Sequence, residues 1–158
     1  KESADVFASS EVYYSIGALL AGFGIRAITK QTDIVTSIII LMVLTIISCI
    51  LLTFTKSVAI LFAMSLLIGL CNAGTRILRI TYIFEKVSNN IIGRSGSVFS
   101  SISIIIRTFM IILFSLPFFA SSENIRYGYL VGAAFLVLAL IPLVKNRNKL
   151  KELEAISS

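Results

Sequence analysis

The 158-residue sequence contains no histidine, two cysteines, two prolines and eight acidic residues. Each scarcity removes a class of chemistry. Without histidine, and with the acids scattered along the chain, neither a hydrolase constellation nor a nucleophile–base pair is visible. No Cys/His cluster is present to hold a structural metal. Cys49 and Cys71 each lie inside an apolar run. They read as free thiols packed like small apolar residues. The expectation is therefore a protein that is not an enzyme and has no cofactor and no metal. The sequence begins at Lys1 without a methionine and shows no signal-peptide pattern. It reads as a piece of a longer protein.

Charge is also scarce, and apolar residues are in excess. Charged residues make up 14% and hydrophobic residues 57%, with a mean hydropathy of +0.97. A soluble domain is about 25% charged and about 45–50% apolar. The excess is concentrated in long blocks, and runs of about 18 or more apolar residues read as membrane spans. Five blocks qualify, at residues 4–28, 34–54, 58–84, 96–119 and 127–144. They are too long and too continuous for barrel strands, which alternate over ~10 residues. The expected fold is an all-α integral membrane bundle of five transmembrane helices over residues 1–144, followed by a cytoplasmic basic tail at 145–158. Asp33 is placed to cap the second helix. Thr55-Lys56-Ser57 makes a tight turn, so the second and third helices form an antiparallel hairpin. Ser88-Asn89-Asn90 is read as a break before the fourth helix. Pro117 and Pro142 fall near helix ends, where a missing N–H is tolerable.

Basic residues set the expected orientation. One side carries Arg26, Lys30, Lys86, Arg94, Lys145, Arg147, Lys149 and Lys151, and the other only Lys1, Lys56 and Arg126. The positive-inside rule places the richer side, with the C-terminus, in the cytoplasm and the N-terminus outside. The chain is thus expected to be multi-pass in a cell membrane, read as a bacterial inner membrane, with the lipid bilayer as its first partner. The tail reads as a topology anchor weakly attracted to anionic lipid. The net charge of +6 gives no reason to expect nucleic-acid binding.

Three arginines, Arg76, Arg79 and Arg107, remain inside apolar segments. A charge within a span is costly and marks a functional-site hypothesis. Ser65, Gly69, Asn72, Arg76 and Arg79 recur every three or four residues, which puts them on one face of the third helix. Gly96, Ser100, Ser103 and Arg107 form a similar stripe on the fourth. The competing reading is that these small and polar residues glue helices together, and that Arg107 belongs to a structural buried ion pair. Arg79 is close enough to the cytoplasmic edge to snorkel. A counter-charge is hard to find within the chain. Glu11, two turns inside the first helix among Tyr13, Tyr14 and Ser15, is the candidate for pairing with Arg107 or carrying a coupling proton. The alternative ends that helix near Val12 and leaves Glu11 interfacial. Glu85 lies at the cytoplasmic end of the third helix, near Arg94 and Lys86. A salt bridge there and a solvated surface pair are both open.

Four stretches carry a resemblance to a known family. In GALLAGFGIRAITK, Gly17, Gly22 and Gly24 allow close packing, and Arg26 and Lys30 follow. The stretch resembles a degenerate Gly-x-x-x-Asp-Arg-x-Gly-Arg-Arg signature. Gly22 and Lys30 match directly, while Arg26 stands at the acidic position and Thr29 at the second glycine. LLIGLCNAGTRILRITYIFEKVSNN, IIGRSGSVFSS and a last helix ending in a basic tail follow in order. Together they resemble the C-terminal half of a major facilitator superfamily transporter, helices eight to twelve, over nearly the whole chain.

The resemblance implies a secondary transporter in which two six-helix bundles rock around a central site. The missing N-terminal half of the same protein would then be a partner. In that fold the eighth, tenth and eleventh helices line the cavity, and the ninth and twelfth face lipid. The polar stripes and intramembrane charges here lie on the first, third and fourth spans and spare the second and fifth. Asn72, Arg76, Arg107, Ser103 and Tyr14 would line the cavity for a small-molecule substrate. Their positive charge suits an anionic substrate, and equally carboxylates from the missing half. Glu11 would couple transport to an ion or proton. Gly22, Arg26, Lys30, Glu85 and Arg94 would form a cytoplasmic gate. The expected activity is ion- or proton-coupled efflux. The alternative is a non-transporting membrane subunit or scaffold whose buried arginines pair with a partner protein. An open groove beside the first, third and fourth helices is expected where the missing helices belong.

Overall fold

The structure, a computed structural model, describes residues 2–29, 32–55, 57–86, 89–120, 124 and 126–150. All regular structure among them is helical: α1 (Glu2–Thr29), α2 (Ile34–Phe54), α3 (Val58–Lys86), α4 (Asn89–Phe114), the short α5 (Pro117–Ala120) and α6 (Tyr127–Lys145). Five of these, all but α5, are long and apolar enough to cross a membrane. The chain therefore has the form of a multi-pass membrane protein. Every backbone polar group in a hydrocarbon interior must be satisfied within its own segment, and helices do this. The hydroxyls follow the same rule. Thr45, Ser48 and Thr53 of α2 each donate to the carbonyl four residues back, at 2.9, 2.8 and 3.0 Å.

Helix α3 is the hub. It packs extensively along α1 and α2, while α2 packs on α6. Ile25, Leu41, Cys71 and Leu78 join α1, α2 and α3 in one buried cluster. Ile46, Cys49 and Ala133 join α2 to α6 in another, with Ile68 of α3 against it. Both cysteines are free and buried within these clusters. Helix α4 meets α3 only sparingly and buries none of its described residues. It reaches α6 through Phe109, whose ring lies edge-on to Phe135 at 6.5 Å.

The fourth helix differs from expectation at both ends, and the cap of the second differs in its bonding. The fourth helix begins at Asn89, so Gly93 and Arg94 are helical and not part of a loop. Asparagine is favoured at a helix start, and Gly93 keeps a negative φ, so the helix continues through it. The same helix stops at Phe114 and not at 119. Ser115 and Leu116 form a turn, and Pro117 opens α5, because proline suits a first helical position and not an interior one. Asp33 stands at the start of α2, but its carboxylate makes no capping bond to the backbone. Its Oδ2 accepts instead from the Thr36 hydroxyl at 3.2 Å.

Candidate functional site

The site begins at the crossing of α1 and α3. A Cβ built on Gly17 would collide with the Leu66 carbonyl, and one built on Gly69 with the Tyr14 carbonyl. Only hydrogen fits at either position, so the two backbones touch, as small residues allow in membrane helix pairs. Gly22 and Gly24, expected to help in such packing, face open space. The crossing carries Tyr14 to the polar stripe of α3. Asn72 Nδ2 donates to the Tyr14 hydroxyl at 2.6 Å. One residue away, Tyr13 stacks on Phe62 with ring centroids 4.9 Å apart and planes at 14°.

Asn72 is the midpoint of the 29-residue α3. That helix is about 43 Å long at ~1.5 Å per residue, which exceeds a hydrocarbon core of ~30 Å. Its last turns therefore extend to the interface, and Arg76 and Arg79 lie one and two turns from the midpoint towards that end. Beyond the sparse contact between α3 and α4 the helices enclose a cleft of about 600 Å3. Its polar wall is Asn72, Arg76 and Arg79 from α3 and Ser100, Ser103 and Arg107 from α4. Ile80, Ile83, Phe84, Ile92, Phe99 and Ile104 supply the apolar part of the lining. The fourth-helix stripe and the Asn72–Arg79 part of the third-helix stripe thus meet across one space, whereas Gly69 lies in the crossing with α1 and Ser65 does not line the cleft.

The electrostatics of this cleft are one-sided. Three guanidinium groups line it and, among the described residues, no acidic one does. None of the three forms a hydrogen bond or ion pair with another described residue. Such charges within a span call for an anion, carbonyls or water. A guanidinium offers a planar fork of donors that matches a carboxylate or phosphate with two parallel bonds.

The remaining predicted residues are not gathered into the cleft. Glu11 is exposed on α1, does not line the cleft, and makes no ion pair with Arg107. Gly22 is exposed on α1, Glu85 in the last turn of α3 and Arg94 in the first turns of α4. No bond joins Glu85 to Arg94 among the described residues. Arg26 lies in α1 with its side chain outside the described part, and Lys30 lies outside the described residues.

One contact was not anticipated. Arg147, assigned to the tail, returns to the start of α2, where its Nη2 donates to Thr36 Oγ1 at 3.1 Å. Thr36 in turn donates to Asp33, so a cation, a hydroxyl and a carboxylate connect the end of α6 to the first turn of α2. The sequence did hold a signal. Asp33 and Thr36 are spaced for one helical turn, and a basic residue close behind α6 can neutralise them if α2 and α6 pack side by side. No family model, curated protein or solved structure matches the chain.

Proposed function

We propose that this chain is part of a secondary active transporter, organised like the C-terminal half of a major facilitator superfamily member, and that the α3–α4 cleft faces its substrate. The observation that carries this reading is the meeting of Arg76, Arg79 and Arg107 with Asn72 in one open cleft with no acidic lining residue among the described residues. Arg76, Arg79 and Arg107 are exposed to the cleft, and placing charge within a span has a cost that a purely structural helix pair does not need to incur. The division of polarity supports the same reading. Helices α2 and α6 pack on each other and carry no charge between Ile34 and Phe54 or between Tyr127 and Val144. In this account the cleft opens alternately to the two sides of a bacterial inner membrane, with the N-terminus outside and the C-terminus in the cytoplasm. Asn72, Arg76, Ser103 and Arg107 contact a small molecule, and Tyr14 positions Asn72. Glu11 is exposed on the outer half of α1, where it is available to a coupling ion or proton during efflux. Gly22, Arg26, Lys30, Glu85 and Arg94 act at the cytoplasmic gate in a conformation other than this one. The missing N-terminal half of the protein closes the open side.

The test is flux through the full-length protein, measured against a substrate panel at several pH values. Arg107→Gln should abolish transport while membrane expression is retained. Unchanged flux would remove the arginine from the mechanism. A second reading draws on the exposure of α4, which leaves none of its described residues buried. On that reading the chain is a non-transporting subunit whose arginines pair with a partner's acids. It predicts no flux, and loss of partner capture rather than of transport on Arg107→Gln.

A further inference from the structure

The lining of the cleft is mixed in character. Arginine, asparagine and serine share it with isoleucine and phenylalanine, and both helices supply both kinds. At about 600 Å3 the cleft lies within the ~300–1,000 Å3 typical of sites for small organic ligands. It has room for about 20 waters at ~30 Å3 each, so a bare inorganic anion would leave most of it against apolar side chains. Helices α3 and α4 meet only sparingly, so their own side chains do not fill the space between them.

We propose that this cleft takes an anionic amphiphile. Its phosphate or carboxylate group is held by Arg76, Arg79 and Arg107, and its apolar body lies against Ile80, Phe99 and Ile104. The proposal rests on the reading of the cleft as substrate-facing and names the substrate class. The anionic group supplies the counter-charge that no lining residue provides. The forked guanidinium groups grip it with paired hydrogen bonds. Ser100 and Ser103 offer hydroxyl donors along the α4 side. The tail lies against the isoleucine and phenylalanine side chains of the lining.

The test uses the purified full-length protein in phosphatidylcholine nanodiscs, titrated with radiolabelled phosphatidylglycerol. Binding should saturate, and unlabelled phosphatidylcholine and inorganic phosphate should not displace the probe. Displacement by oleate as well as phosphatidylglycerol would show that a fatty acid also serves as the anion, and displacement by phosphatidylglycerol alone that a phospholipid does. Both results support the site. Equal displacement by phosphatidylcholine or by inorganic phosphate would overturn it. The double change Arg76→Gln with Arg107→Gln should weaken binding at least tenfold at unchanged helical content, while Arg107→Lys should weaken it less. Lys149→Gln, on the exposed chain after α6, should leave it unchanged. No loss in the double variant, or an equal loss in Lys149→Gln, would reduce the effect to surface attraction and overturn the proposal. If the double variant does not insert, the competitor series on the unaltered protein decides. Arg107-dependent flux without amphiphile binding would sink this substrate class and leave the transport reading standing. Amphiphile binding without flux would support the site and remove transport.

Discussion

At Gly69 a hydrogen atom stands where any other residue would drive a carbon into the Tyr14 carbonyl, and Gly17 does the same against Leu66. Lipid tails are as apolar as leucine, so such close backbone approach supplies much of the attraction between membrane helices. Gly69→Leu should therefore separate α1 from α3 and lower stability by about 1–3 kcal/mol, the usual cost of overpacking. Thermal unfolding in detergent would show this as a lower Tm, with Gly22→Leu as a control because open space surrounds Gly22. An equal loss in both variants would mean that the crossing is not tight. The same crossing sets the Tyr14–Asn72 bond. A double-mutant cycle with Tyr14→Phe and Asn72→Ala should return a coupling of about 0.6 kcal/mol, the average for hydrogen bonds between membrane helices. A coupling of zero would separate the two residues in function. These details were half visible in the sequence. The spacing of Gly69, Asn72 and Arg76 placed them on one face, but which face meets which helix depends on tertiary packing. For that reason Gly17 could not be distinguished from Gly22 and Gly24.

Among the elements, α2 runs over the expected residues, from Ile34 to Phe54. Its boundaries were legible because Asp33 at one end and Thr55-Lys56-Ser57 at the other interrupt an uncharged apolar run. Helix α4 was harder to delimit. Ser88, Asn89 and Asn90 looked like a break, since residues that favour loops also favour helix starts, and composition does not separate the two. The α2–α6 junction was not read at all, because Arg147 and Thr36 are 111 residues apart and only their packing brings them together. Arg147→Gln should weaken that junction by about 1 kcal/mol, within the range for a partly exposed hydrogen bond to a charged group. Thr36→Val should cost a similar amount, and the combined variant little more than either alone. Denaturant unfolding of the three variants checks this. Full additivity would mean that the bond contributes nothing.

For the whole molecule, the charge pattern and the cleft make one joint claim. On the proposed reading, the cleft is a passage within the bilayer that opens in turn to each side. The counter-charge was not legible in the sequence, because Glu11 had the right chemistry but sits on a part of α1 that does not line the cleft. Thiol labelling tests the claim without knowledge of the substrate. Cys49 and Cys71 are buried, and replacing them together with any cysteine elsewhere in the full-length protein leaves a clean background. Ser103 lines the cleft, whereas Ile105, about 200° further round α4 at ~100° per residue, is exposed on the opposite face. Ser103→Cys and Ile105→Cys in the full-length protein would each be treated with a membrane-impermeant thiol reagent, in right-side-out and in inside-out vesicles. Alternating access predicts that Ser103→Cys is labelled from both sides and Ile105→Cys from neither. Labelling of Ser103→Cys from one side only, or no faster than that of Ile105→Cys, would contradict it.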